Sequence, residues 1–204
     1  IRMDAIIETD LPNRLYRGKV RDTYSLDGDH LLMVATDRIS AFDVVLPSAI
    51  PGKGIILTKM SKFWFDYMAA IVPNHLSGLD KQFDLDAIPG FSTGIKERAM
   101  VVRRADRIDV ECIARGYITG SAWSEYQKSG TVNGEIVPSG LTEGDKFPNS
   151  LFTPTTKANE GHDEPLTRQE FKDLLGGDLA ADLERKTLAL YEAAHNYALG
   201  RGII

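Results

Sequence analysis

Asp109-Val-Glu-Cys-Ile-Ala-Arg-Gly-Tyr-Ile-Thr-Gly-Ser121 is the stretch on which the organisation of the chain turns. Val110 to Ala114 is short and rich in β-branched residues, interrupted only by Glu111 and Cys112, which is the pattern of a mostly buried strand. Arg115 follows, then a turn bracketed by Gly116 and Gly120, and Ser121 is a good N-cap for a helix over 122–128. A strand that delivers a guanidinium and then opens a helix with free N–H groups is a pocket for phosphate or carboxylate. The same residues fit a second arrangement equally well, a buried arginine paired to a core acid beside an ordinary capped helix.

The totals narrow the function classes. At 204 residues the chain can bury a sizeable core, in one large domain or two small ones. Its 43% apolar and 26% charged residues are the composition of a globular protein. Against 24 basic residues stand 29 acidic ones, and the resulting net charge of −5 argues against a nucleic-acid partner. Cys112 is the single cysteine, so no internal disulfide is possible and a reducing compartment is expected. In its apolar strand it reads as an inert packed thiol. No apolar run approaches the roughly 20 residues that span a bilayer. Ile1-Arg-Met-Asp4 has no secretory character and no initiator methionine at position 1, so the expectation is a cytoplasmic protein whose start lies upstream.

Outward from that stretch, the N-terminal half opens with a β-hairpin. Val20 to Leu26 runs up, Asp27-Gly28-Asp29 turns and Leu31 to Ala35 returns, with Gly18 at the entrance and Lys19 and Arg21 on one strand face. This is no Walker loop, and it is closer to the glycine-rich hairpin that lies over nucleotide phosphates in kinase-like folds. A solvated charged strand face is the plainer alternative. Thr36 to Asp43 is then expected as a loop where function gathers, a surface pair of Asp37 with Arg38 being the plainer alternative, and residues 47–59 as a Pro/Gly-punctuated connector. From Thr58 the spacing of Met60, Phe63, Trp64, Tyr67, Met68 and Ile71 predicts a helix with a core-facing aromatic stripe. Residues 99–104 and 108–114 read as two strands pairing through a tight turn, the hinge between an antiparallel β-rich domain over 1–108 and an α/β domain over 109–204. By kinase-like analogy, Glu111 and Ile113 of that linker would meet an adenine ring.

Further on, Asn133-Gly134 marks a turn and residues 138–150 an irregular loop. Lys157, His162, Asp163 and Glu164 make the densest polar cluster, for which a hydrated loop is the plainer alternative to a metal site. Thr167-Arg-Gln-Glu170 is a capping box opening a short helix, and Asp178 is expected to cap the long one over 179–199, with His195 near its apolar face.

Four motifs in order, nearly end to end, resemble one family. They are Tyr16-Arg-Gly-Lys-Val-Arg-Asp22, Thr36-Asp-Arg-Ile-Ser-Ala-Phe-Asp43, the Glu111…Arg115…Thr119-Gly-Ser121 segment, and Thr153-Pro-Thr-Thr-Lys157 with His162-Asp163. Together they are similar to SAICAR synthetase, the ATP-dependent ligase of purine biosynthesis. The resemblance implies an α+β fold related to kinase and ATP-grasp architectures. It also implies a reaction that joins carboxyaminoimidazole ribonucleotide (CAIR) to L-aspartate, with ATP as co-substrate and Mg²⁺ as metal. A carboxylate is a poor electrophile, so activation as an acyl phosphate is implied, together with a triphosphate cradle and cations for the ribotide phosphate.

Carried over by position, Gly18, Lys19, Val20 and Arg21 would bind ATP, with Glu111, Ile113 and Lys157 as further nucleotide contacts. Arg115 and Ser121 would hold the ribotide on a turn shaped by Thr119 and Gly120, and Ser40, Asp43, His162 and Asp163 would face substrate. Lys19, Asp43, Arg115 and Lys157 are the catalytic candidates. Family members continue into an Asp-x-Lys-x-Glu-Phe-Gly strand that carries the metal carboxylates, so the expectation is that the natural chain continues beyond Ile204. The competing functions are a nucleotide- or ribotide-binding module without catalysis and a kinase-like phosphotransferase. The second of these gives the Arg115–Ser121 segment no role. Oligomeric state is not legible.

Overall fold

The computed structural model describes residues 4–42, 44–76, 82–157 and 163–203, and the chain divides into two units, Ile1–Asp106 and Arg107–Ile204. In the first unit, strands β1 (Arg14–Arg17), β2 (Arg21–Ser25), β3 (His30–Ala35), β4 (Arg38–Ala41) and β5 (Val44–Ala49) precede helix α1 (Lys53–Met68). The short helix α2 (Thr93–Lys96) and strand β6 (Ala99–Arg103) follow. A four-stranded antiparallel sheet runs in the order β1-β2-β3-β6, with Arg21 opposite Ala35 and Ser25 opposite Leu31. The expected hairpin is present. Strict alternation sends Tyr24, Leu32, Val34, Ala99 and Val101 to one face, where they form a core with Leu11 and Ile95.

Several expectations fail here, each for a physical reason. Residues 38–49 are a second hairpin, β4 with β5, where a loop and a connector were expected. Asp37 and Arg38 do not pair with each other. Asp37 is fully buried, sits 2.6 Å from the Arg98 guanidinium and accepts the Gly54 N–H at 2.8 Å. It thereby serves the start of α1, where a carboxylate satisfies the first-turn donors and meets the positive end of the helix dipole. Helix α1 therefore begins at Lys53, not Thr58. Its buried side is Gly54, Thr58 and Met68, while Met60, Phe63 and Tyr67 are 51%, 41% and 46% exposed. The face turned to β3 is the Gly54 and Thr58 side instead, and Gly54 permits the approach: a Cβ there would collide with the Ala35 carbonyl oxygen.

The second unit holds β7 (Val110–Glu111), β8 (Ala114–Tyr117), α3 (Gly120–Ser129), β9 (Thr131–Val132) and β10 (Glu135–Ile136). Then come β11 (Lys146–Phe152), β12 (Thr155–Thr156), α4 (Arg168–Leu175) and α5 (Gly177–Leu199). Strand β6 does not pair with 108–114. It closes on β3, whereas β7 pairs with β12 and β8 with β11, all antiparallel. Short apolar strands carry no label for their partner, and the nearest in sequence was not the one chosen. β11 occupies what the sequence suggested was irregular loop. The strand pairs here are antiparallel with helices packed on them, so this unit is α+β rather than alternating α/β. Phe152, Phe171 and Ala180 form one core cluster, and Ile118, Ala122, Val132, Val137 and Phe147 another. Thr167 and Glu170 make both bonds of the capping box. Asp178 makes no side-chain cap, Gly176 being the N-cap of α5.

Candidate functional site

In the first unit Gly18, Lys19 and Val20 form the turn between β1 and β2, so Lys19 precedes the strand rather than sharing its face with Arg21. All the carbonyls of residues 18–21 are taken up by the protein's own donors. Arg38 Nη2 reaches Gly18 O at 2.9 Å and its Nε reaches Lys19 O at 3.0 Å. Thr36 donates to Val20 O through its N–H and its hydroxyl, and the Gly18 N–H closes on Arg21 O at 2.7 Å. Arg38 also meets Asp22 at 2.7 Å. Burial acts to raise the Asp22 carboxyl, but Arg38 and the Thr9 hydroxyl outweigh it and hold Asp22 below the usual carboxylate range. Asp37 behaves alike: burial opposes ionisation, and Arg98 with the Gly54 and Ile6 N–H groups overcomes it.

Beside this turn lies a cavity of about 240 Å³, walled by Val20, Ala35, Leu57 and Met100 and carrying the cations Arg21 and Lys53. Burial pushes the Lys53 ammonium down, Asp37 pulls it back and Arg38 adds to the depression. An apolar slot edged by two cations suits a flat, anionic ligand. Ser40 lies half-buried on β4, opposite Val45. Asp43 lies outside the described residues.

In the second unit β8 carries Arg115, half-buried, to the start of α3. Its Nε donates to the Thr153 hydroxyl at 3.1 Å, and its Nη2 lies 3.5 Å from Ser121 Oγ. Among the described residues no carboxylate comes within ion-pair distance of it, so the paired-arginine arrangement is not the one adopted. The N-cap is Thr119, not Ser121, and no side chain caps the helix. Ser121 therefore stands in the first turn with its hydroxyl beside the guanidinium. Thr119, Gly120, Ser121 and Arg115 thus come together as a cationic corner with free first-turn donors. Gly116 lets the Tyr191 hydroxyl of α5 lie against the strand; a Cβ there would displace that side chain.

A second cluster brings Lys157 within 2.5 Å of Glu111 and 3.3 Å of Asp163. Glu111 first, then Asp163, raise the Lys157 ammonium above its ordinary value. The Ile113 carbonyl accepts the Thr153 N–H at 2.8 Å. His162 lies outside the described residues. Cys112 is half-buried, and burial raises its thiol despite a hydrogen bond with Thr187.

Lys53 and Arg98 lie outside every quoted motif, and Asp22, Asp37, Arg38 and Thr153 stood inside motifs without being given a role at the site. One signal for Asp22 was present: the alternation that turns Tyr24 inward turns Asp22 inward too. Arg98 has no such signal, and the partnership of Thr153 with Arg115 has none either, because the partners stand 61 and 38 residues away.

The SAICAR synthetase family model matches residues 14–204. The chain belongs to the SAICAR synthetase family. It is 48% identical to a phosphoribosylaminoimidazole-succinocarboxamide synthase of Nitrosomonas europaea, over 98% of this chain and 68% of that protein. Against the Pasteurella multocida synthase it is 48% identical, over 94% of this chain and 66% of that protein. The Saccharomyces cerevisiae SAICAR synthase, solved in complex with SAICAR, superposes with a TM-score of 0.85 at 41% identity, covering 96% of this chain and 67% of that one. The chain thus spans about two thirds of the length of its SAICAR synthetase relatives. Family members are ligases of purine biosynthesis that use ATP, and the antiparallel α+β architecture is theirs. No described helix is long and apolar enough to cross a membrane.

Proposed function

We propose that this chain carries the nucleotide- and ribotide-handling residues of a ligase that joins CAIR to L-aspartate at the expense of ATP. The observation that carries the proposal is Arg115, a half-buried guanidinium that among the described residues is held by two hydroxyls, at the uncapped start of α3. An arginine placed so has donors left for a phosphate or carboxylate, and its planar fork suits either. Arg115, Ser121, Thr119 and Gly120 then hold the ribotide; that a ribotide of this kind is bound at all is supported by the yeast relative, solved in complex with SAICAR. Gly18, Lys19, Val20 and Arg21 bind the ATP phosphates in a β-rich domain over 1–108, related to kinase and ATP-grasp folds. The cavity edged by Arg21 and Lys53 belongs to the same nucleotide role.

In the domain over 109–204, Glu111, Ile113 and Lys157 are further nucleotide contacts and Asp163, with His162, a substrate contact. Ser40 and Asp43 face substrate from the first domain. The setting is cytoplasmic, and the partners are small molecules. Mg²⁺ is expected with ATP, yet among the described residues no three His, Cys, Asp or Glu side chains converge to hold it, so no step is assigned to it here.

The chemistry balances as two displacements. A CAIR carboxylate oxygen attacks the γ-phosphorus and ADP leaves; the aspartate amine then attacks the acyl carbon, loses a proton, and phosphate leaves with that oxygen. Lys19 and Arg115, as fixed cations, offset charge that builds on the transferring group and on the ribotide. The test is positional: with ¹⁸O in both oxygens of the CAIR carboxylate, one label should appear in inorganic phosphate and the other in the amide carbonyl of the product. Label released to water, with none in phosphate, would remove the acyl phosphate. ADP formation with a hydroxyl acceptor in place of aspartate would favour a phosphotransferase.

A further inference from the structure

Arg38 sits in the Thr36–Asp43 motif, yet its side chain reaches neither solvent nor a cavity: it is 11% exposed and makes four hydrogen bonds, to Gly18 O, Lys19 O, Ile7 O and Asp22 Oδ1. An ion pair with Asp22 alone would explain one of them. Two of the others go to successive carbonyls of the glycine turn. In a planar trans peptide the C=O and the following N–H point in opposite directions. A guanidinium that draws the Gly18 and Lys19 carbonyls toward itself therefore turns the Lys19 and Val20 N–H groups the other way. Thr36, holding Val20 O, does the same to the N–H of Arg21. Successive N–H groups pointing one way make a concave anion cradle, while a carbonyl turned into that cradle would repel a phosphate.

We infer that Arg38 is a positioning residue for nucleotide binding: it sets the polarity of the Gly18–Val20 backbone so that the turn offers N–H groups, and no carbonyl, to a phosphate. This rests on the assignment of that turn to ATP. Arg38 touches no ligand itself. Lysine cannot replace it, because one ammonium on a flexible stem cannot reach two carbonyls and a carboxylate in the guanidinium's plane.

The experiment compares Arg38→Ala, Arg38→Lys and Lys19→Ala in the purified natural protein, reading KM for ATP and for aspartate, kcat at saturating ATP, and thermal midpoint. Arg38→Ala should raise the ATP KM at least about tenfold, the scale of losing charge-assisted hydrogen bonds, with the aspartate KM and kcat nearly unchanged. Added guanidinium ion should restore part of the ATP affinity. If Arg38→Ala does not fold, Arg38→Lys, which keeps the charge beside Asp22, must show the same split. Loss that falls equally on ATP and aspartate, follows the thermal midpoint and is not rescued would make Arg38 merely structural and overturn the inference. An ATP KM raised by Lys19→Ala but not by either Arg38 variant overturns it too and leaves the nucleotide assignment standing. If none of the three moves the ATP KM, the assignment of the turn itself is wrong.

Discussion

Arg38 and Arg115 stand in two motifs of the same family and have opposite surroundings. Arg38 gives four hydrogen bonds to backbone carbonyls and a buried carboxylate, whereas Arg115 gives two to hydroxyls, at 3.1 Å and 3.5 Å. The first has little left to offer a ligand and the second has most of its donors to spare. On the reading proposed above, one arginine shapes backbone and the other meets substrate, a division invisible in the residue type. Arg98 with Asp37 extends the first class, a buried pair that ties the start of α1 to the sheet.

That contrast breaks most visibly at Asp37. Asp37→Ala leaves the Arg98 guanidinium buried and unpaired and removes an acceptor from α1, so urea denaturation should show a loss of about 3–5 kcal/mol. A loss under about 1 kcal/mol would mean that water replaces the carboxylate, and the committed class would lose its best member. Next in size is Arg115→Lys, which should raise the ribotide KM by about ten- to a hundredfold while the ATP KM and thermal midpoint hold. Equal loss for both substrates would place Arg115 with Arg38 as a shaping residue.

Acid sharpens the contrast further. Asp22 and Asp37 are held below the ordinary carboxylate value near about 3.9. Their folded-state values being lower, the native state binds protons less readily than the unfolded chain. The stability they contribute is complete above that ordinary value and disappears as pH falls through the depressed ones. Stability measured from about pH 7 down to about pH 3 should therefore fall on the acid side, and Asp22→Asn should flatten the fall; an unchanged slope would show that Asp22 is not linked to folding. The smallest effect belongs to Thr167→Ala, a surface cap whose hydroxyl serves only the start of α4, which should cost about 1 kcal/mol with every KM unchanged.

The sequence displayed a good part of this. The β2–β3 hairpin was legible because alternation and a Gly-containing turn are local, and the capping box of α4 because its bonds span three residues. The meeting of Arg115 with the start of α3 was legible for the same reason: strand, guanidinium and helix start are contiguous. What escaped was long-range. Residues 99–104 looked ready to pair with 108–114, but β6 found β3 instead. The Met60, Phe63 and Tyr67 spacing promised a core face, but a glycine in the first turn of α1 drew a different face inward.

By itself, then, the sequence determined the family, the local elements and which residue types carry charge near each turn, since these depend on neighbours within a few positions. Only the tertiary structure decided which charges are used up inside the protein and which are left for a ligand. An ion pair such as Asp37 with Arg98 forms between residues 61 apart, and nothing local to either residue records the other.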